Sequence, residues 1–224
     1  MRKTSTRYFA WTGIAVAAGG TLTLLINAGL TPFLQPDAPY PETAASSVFL
    51  WRQSLSALAA LLLLVGSIGL YLFQADSAGR FGALAFGLAF VGSALLLANE
   101  WGQVFFVREL ALKNPDVLQA FEDAQGPSLF DIGALIAITA FTLGWLAFSI
   151  SILLARVYSR LGPILVIAGF FATPILGAAL PGVVGLIVGN AVLGGGWMVL
   201  GRELHLLIGL GVDRPTHRSE APTP

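Results

Sequence analysis

Apolar residues along this chain come in long blocks rather than in short alternations: Tyr8 to Leu30, Val48 to about Gln74, Phe81 to Val107, Leu129 to Leu154, Leu161 to Leu180 and Val183 to about Leu210. About 20 residues rising 1.5 Å each cover the ~30 Å of hydrocarbon in a bilayer. Lipid offers no partner to a free backbone N–H or C=O, so blocks of this length must be helical. The pattern predicts an all-α fold, a polytopic bundle of six transmembrane helices forming one domain over residues 1–210 of a multi-pass plasma-membrane protein. The third block is longer than a perpendicular crossing requires, so it should tilt or project from the membrane.

The polar stretches between blocks say how the helices connect. Residues 31–47 carry Pro32, Pro36, Pro39, Pro41, Asp37 and Glu42 and no Lys or Arg, the composition of an irregular loop. The link from Ala75 to Arg80 is so short that the second and third blocks must form an antiparallel hairpin. In the polar piece from Arg108 to Ser128, Asn114-Pro115-Asp116 has the makings of a helix start: a capping residue, a proline at the first helical position and an acid in the first turn. Val117, Leu118 and Phe121 then share a face, so 115–125 reads either as a short amphipathic helix on the membrane surface or as a solvated connection. Pro181-Gly182 marks a tight turn, and the polar tail 211–224 is expected to be disordered.

Charge then orients the bundle. With the N-terminus in the cytoplasm, the inside collects Arg2, Lys3, Arg7, Arg80, Arg156, Arg160, Arg202, Arg214 and Arg218, and the outside keeps only Arg52, Arg108 and Lys113. That asymmetry predicts both termini inside. The cluster before the first block also suits a cleaved signal peptide; a block long enough to span, with no small-x-small cleavage site after it, favours an uncleaved anchor.

Composition narrows the function classes. The chain is 56% hydrophobic and 11% charged, and its 12 basic residues balance 12 acidic ones, so the partner it must have is a lipid bilayer. No clustered basic face exists to displace counterions from nucleic acid. There is no cysteine, and the two histidines, His205 and His217, lack matching partners. Thiolate chemistry and Cys-ligated metals are thereby excluded, as is a paired-histidine haem or a three-histidine zinc within one chain, and no cofactor or metal is expected. No nucleophile and base pair, no HExxH and no spaced pair of aspartates appears, so the residues lean away from an enzyme.

Small residues at i and i+4 allow helices to approach without a hydrophobic drive between them. Gly185 and Gly189, continued by Gly194, Gly195, Gly196 and Gly201, form one such stripe, and Ala85, Ala89 and Ser93 another. The Gly194–Gly196 run reads as packing, with a flexible break used in transport as the alternative. Pro174 should kink the fifth helix or free a carbonyl. A shift of 80 residues sets Arg80-Phe81-Gly82-Ala83-Leu84 against Arg160-Leu161-Gly162-Pro163-Ile164, which suggests a duplicated helix pair.

Against this apolar background one stretch stands out: Asn99-Glu100-Trp101-Gly102-Gln103 puts a carboxylate and two amides inside the third block. Glu100 lies about two turns, and Arg52 about one turn, inside the outer ends of their helices, close enough in depth to meet. Asn99 and Gln103 share a face; Asp131 and Asn190 sit in the outer parts of the fourth and sixth blocks. An intramembrane ionisable residue is by default a functional hypothesis, which makes Arg52, Glu100, Asn99, Gln103, Asp131 and Asn190 the candidate ligand-binding set. Structural readings stand beside it. Arg52 and Glu100 can simply pair and lock two helices. Ser128 and Asp131 have the spacing of a capping box, and Asn27 and Asn190 suit interhelical hydrogen bonds. The five tryptophans read as belt or packing residues.

In its six blocks, its short Arg-containing returns and the Leu-Gly-Arg-Glu-Leu end of the last block, Leu200 to Leu204, the chain resembles the uncharacterised small six-helix membrane proteins of bacteria. That resemblance implies the fold and carries over no functional residue. Three functions are compatible with the residues: a bundle presenting an outward polar pocket to a ligand or partner protein, a small permease, and a lipid-acting enzyme with Glu100 as acid or base.

Overall fold

The computed structural model describes residues 2–34, 37–124 and 126–209, with side chains from residue 10 onward. The described residues are helical throughout and contain no strand. Helix α1 spans Arg2–Gly29 and ends in a 3-10 turn, Thr31–Phe33; α2 is Tyr40–Ala45 and α3 is Ser47–Gly102. A π-helical turn, Gln103–Val107, leads into α4, Arg108–Lys113, and α5, Pro115–Glu122. Helices α6, α7 and α8 span Leu129–Ala155, Leu161–Ala179 and Val184–Gly209. The tail 211–224 lies outside the described residues.

Five of these helical stretches are long and apolar enough to cross a membrane, and in the longest of them α3 runs on through the π-turn to Lys113. Within α3, Gly79 adopts φ 58° and ψ −159°, a conformation essentially reserved for glycine. The chain turns back there: Tyr71 and Phe86, on either side of the turn, stack with ring centroids 4.4 Å apart. Fifteen residues of straight helix would hold them about 22 Å apart. The short link 75–80 therefore makes a hairpin without a loop, and the first arm (47–78) and second arm (80–102) run antiparallel. The third block indeed continues as helix past Val107, through the π-turn and α4, rather than stopping at a loop.

Glycines set the order of the helices. A Cβ on Gly66 or Gly69 would collide with Val16 or Thr12 of α1, which seats α1 on the first arm. One on Gly20 would stand 2.5 Å from the Gly194 carbonyl oxygen, and one on Gly13 2.7 Å from that of Gly201, joining α1 to α8. Gly169 meets Leu193 and Gly196 meets Val166, joining α7 to α8. On the other side a Cβ on Gly144 of α6 would stand 2.6 Å from the Ala89 Cα of the second arm. The sequence of neighbours is thus α6, second arm, first arm, α1, α8, α7. The return contact, α7 against α6, is loose by comparison. The Gly194–Gly196 run is continuous helix, and it packs: Gly194 faces Gly20, and Gly196 faces Val166.

Aromatic side chains fill the centre of one half of this arrangement. Trp145, Phe148 and Trp197 are almost wholly buried with Leu70, Ile152, Leu200 and Leu204, and Trp145 donates its indole N–H to Ser93 Oγ at 3.0 Å. Trp11, Trp51 and Trp101 are instead more than half exposed. A second, smaller core sits beside the far ends of the arms, where Ala44, Phe49, Val107, Ala111 and Leu118 bury one another. Of the two readings of 115–125 a helix forms, over Pro115–Glu122, and contributes Leu118 to that core, while Val117 and Phe121 remain exposed. Asn114 precedes it without a side-chain cap bond, so the Pro115 start carries that terminus alone.

Candidate functional site

In the half of the bundle opposite the aromatic core the helices do not close on one another. A cavity of about 540 Å³ remains, and every long helical stretch contributes to its wall. Helix α1 supplies Thr23, Ile26 and Asn27, with Thr31 from the following turn; the arms of α3 supply Arg52, Ser56 and Ala60, and Leu96 and Glu100. Phe141 and Thr142 come from α6, Phe170, Thr173 and Pro174 from α7, and Asn190, Leu193 and Trp197 from α8. The hydrophobic pattern put these residues on six helices; the hairpin at Gly79 and the glycine contacts bring them to one space.

The floor is aromatic. Phe141, Phe170 and Trp197 contact one another with centroids 5.9 to 6.1 Å apart and steeply inclined planes. Directly behind them lie Trp145 and the tightly packed core, so the cavity ends at this layer. Pro174 stands within an uninterrupted α7. Having no N–H, it leaves the Phe170 carbonyl without its helical partner beside the cavity.

The polar rim has few free donors. Thr23, Asn27, Thr173 and Asn190 donate to the backbone carbonyls of Gly19, Thr23, Gly169 and Leu186 on their own helices. The expected interhelical bonds of Asn27 and Asn190 are thus replaced by local ones, and the Asn27 amide oxygen also accepts from Thr31 Oγ1 at 3.4 Å. Arg52 donates Nε–H to Thr31 Oγ1 at 3.2 Å and Nη1 to Gln53 Oε1. A guanidinium has five N–H groups, so several stay available.

Arg52 and Glu100 do not form an ion pair, the structural one of the two readings open for them. Both line the cavity, yet among the described residues the one pair within 4.0 Å is Lys113 with Glu109. Thr31, on the preceding turn, and Gln53, on the first arm, orient the guanidinium, while its remaining N–H groups are not engaged by Glu100. Glu100 Oε2 is buried with no hydrogen-bond partner, and so is Trp197 Nε1 on the floor. Buried polar atoms without partners are uncommon and costly.

The other candidates go elsewhere. Asn99 is not part of the wall. Gln103 is drawn away by the π-turn and accepts a 2.9 Å hydrogen bond from Tyr40 Oη. Burial pushes the Tyr40 phenol above its ordinary 10.0, against the opposing effect of that bond. Asp131 completes a reciprocal capping box with Ser128 at the start of α6 and is exposed. It borders a separate hollow of about 480 Å³ between Tyr40, Leu118 and Phe121. Residues not singled out from sequence, Thr142, Phe170, Thr173 and Trp197, complete the cavity; their types are ordinary in an apolar helix, and only their position gives them a role. Among the described residues no group of three or more His, Asp or Glu side chains is placed to hold a metal ion.

No protein-family model, curated protein or solved structure matches this chain. The site stands on its own geometry.

Proposed function

We propose that this is a six-span integral membrane protein, with both termini in the cytoplasm, whose outward cavity binds a ligand. The six spans follow if the reversal at Gly79 divides α3 into two crossings, and the orientation rests on nine of twelve basic residues falling on one side. One observation carries the binding reading: Glu100 Oε2 and Arg52, opposite charges in the same cavity, are not paired with each other. A purely structural pair would close the contact, because an unpaired buried charge costs several kcal/mol, of order 3–5 on removal of a partner. The packed aromatic floor favours a blind site over a permeation path. Neither arrangement offers the base and nucleophile that a lipid-acting enzyme needs.

The absence of cysteine makes the test direct, since single cysteines can be introduced on the native background. Ser56→Cys and Asn190→Cys should react with a membrane-impermeant trimethylammonium thiosulfonate from outside, as should Asp37→Cys in the loop. Asp76→Cys should react only from inside, and Ser149→Cys from neither side. Reaction of Ser149→Cys from the inside would replace the blind site with a permease. Silence at Ser56→Cys and Asn190→Cys while Asp37→Cys reacts would end the binding reading.

A further inference from the structure

The ring of helices has a seam. The two arms of α3 are held together by the reversal at Gly79 and the other neighbours by glycine contacts, but no glycine of α6 or α7 meets the other helix. Toward the cavity end α6 is exposed on most sides: Leu129, Ile132, Leu135, Ile136 and Ile138 are all open, and a Cβ on Gly133 would touch nothing within 4 Å. Pro174 and Ile175 of α7 are exposed as well.

Ile138 decides what the seam is. It is 52% exposed, lines the cavity, and stands on the same open stretch of α6 as Leu135 and Ile136. A residue with both properties stands at an opening. Ile138 lies nine residues beyond the α6 start at Leu129, and Pro174 five residues before the α7 end at Ala179. At 1.5 Å per residue these are about 14 Å and 8 Å below the helix ends, inside the hydrocarbon layer. The opening faces acyl chains and not water.

An occupant entering there needs an apolar tail, and the polar end of the cavity specifies its head. Arg52 keeps N–H donors free, suited to phosphate oxygens. Glu100 Oε2 lacks a partner, and Asn190 gives one amide N–H to Leu186 while its oxygen accepts no hydrogen bond from the described residues. A cation with N–H groups satisfies those acceptors. The two charges are apart, so the complementary head carries both signs.

We propose that the cavity takes a membrane phospholipid with a phosphate and a primary ammonium in its head, the phosphate at Arg52, the ammonium at Glu100, and an acyl chain leaving between α6 and α7. This inference rests on the binding reading above and names its ligand. The two separated charges lining one cavity and the window between α6 and α7 carry it together.

The test uses the purified full chain in nanodiscs with phosphatidylethanolamine bearing a diazirine on an acyl chain. Photolabelling should concentrate on 138–142 and 170–174. Unlabelled phosphatidylethanolamine should compete, and phosphatidylglycerol, which lacks the ammonium, should not. Arg52→Met and Glu100→Gln should each weaken competition about tenfold or more, the effect of losing one charge-assisted hydrogen bond. Ile138→Trp, which keeps both charges, should abolish focused labelling, so the test survives if the charge variants fail to fold. Label spread evenly over all helices, equal competition by phosphatidylglycerol, or full competition by soluble phosphoethanolamine would each overturn the proposal. In nanodiscs of phosphatidylcholine, whose head has no N–H, Asn190→Cys should react with the aqueous reagent whether or not phosphatidylethanolamine binds, so the lipid can fail while the site stands.

Discussion

Two buried indoles show how much a single partner decides. Trp145 and Trp197 are adjacent, with centroids 5.4 Å apart, and equally buried, but Trp145 bonds Ser93 and Trp197 bonds no protein atom. Ser93→Ala should therefore destabilise by about 1–3 kcal/mol, the cost of stranding a buried donor. Trp197→Phe removes a donor that has no bond to lose and should cost clearly less than Trp145→Phe, as thermal unfolding in detergent would show. Tyr158 gives a pH test. Its hydroxyl donates to the Leu70 carbonyl at 3.1 Å, and burial, with the Glu203 carboxylate adding to it, holds the phenol well above its ordinary 10.0. A raised folded-state value contributes stability that is complete below the unfolded value and lost as pH climbs toward the folded one. The wild type should thus lose stability above about pH 10 by an increment that Tyr158→Phe lacks, measured as the difference between their melting curves across that range. None of these partnerships was visible in the sequence, where Ser93 is a small packing residue and Tyr158 part of a link.

At the scale of elements, backbone conformation and close approach separate glycines that look alike in sequence. Gly79→Ala places a Cβ where φ is 58° and ψ is −159°, with no neighbouring atom within 4 Å. The expected loss is pure backbone strain of about 1–3 kcal/mol. Gly195, also with nothing within 4 Å, lies inside regular helix, and Gly195→Ala should stabilise by about 0.5–1 kcal/mol. Gly144→Ala should be worse than either, since its Cβ would meet backbone of the second arm at 2.6 Å. Ranking the three melting temperatures tests the helix order directly; a harmless Gly144→Ala would refute it. The hairpin itself was legible in the brevity of the 75–80 link, and the capping box in the Ser128 to Asp131 spacing. The π-turn at Gln103–Val107 was not: nothing in the apolar run there marks an extra residue in the turn, yet it sends Gln103 to Tyr40 and away from Glu100.

For the molecule as a whole, the cavity predicts where added volume is tolerated. Ala60 and Ala89 are both buried helical alanines, but Ala60 lines the cavity and Ala89 abuts Gly144. Ala60→Leu should shift stability by less than about 1 kcal/mol, whereas Ala89→Leu overpacks and should cost about 1–3 kcal/mol or more. Equal losses at the two positions would mean that the space is absent in the folded protein.

The sequence by itself determined the helical class, the membrane environment and the polar residues within the apolar blocks, because each follows from local composition and from the penalty that lipid sets on unpaired backbone. The Asp131 cap was determined locally too, by side chains three residues apart. Only tertiary structure decided which polar groups share a space. Arg52, Glu100 and Asn190 converge because α3 folds back at Gly79 and small residues draw α1, α7 and α8 together. It also decided that Arg52 turns to Thr31 and Gln53 instead of Glu100, since hydrogen-bond partners are chosen by distance in three dimensions and not by charge alone. The looser α6–α7 contact belongs to the same level: the sequence shows two apolar helices joined by a short link, and only their packing shows that they meet less closely than the other neighbours.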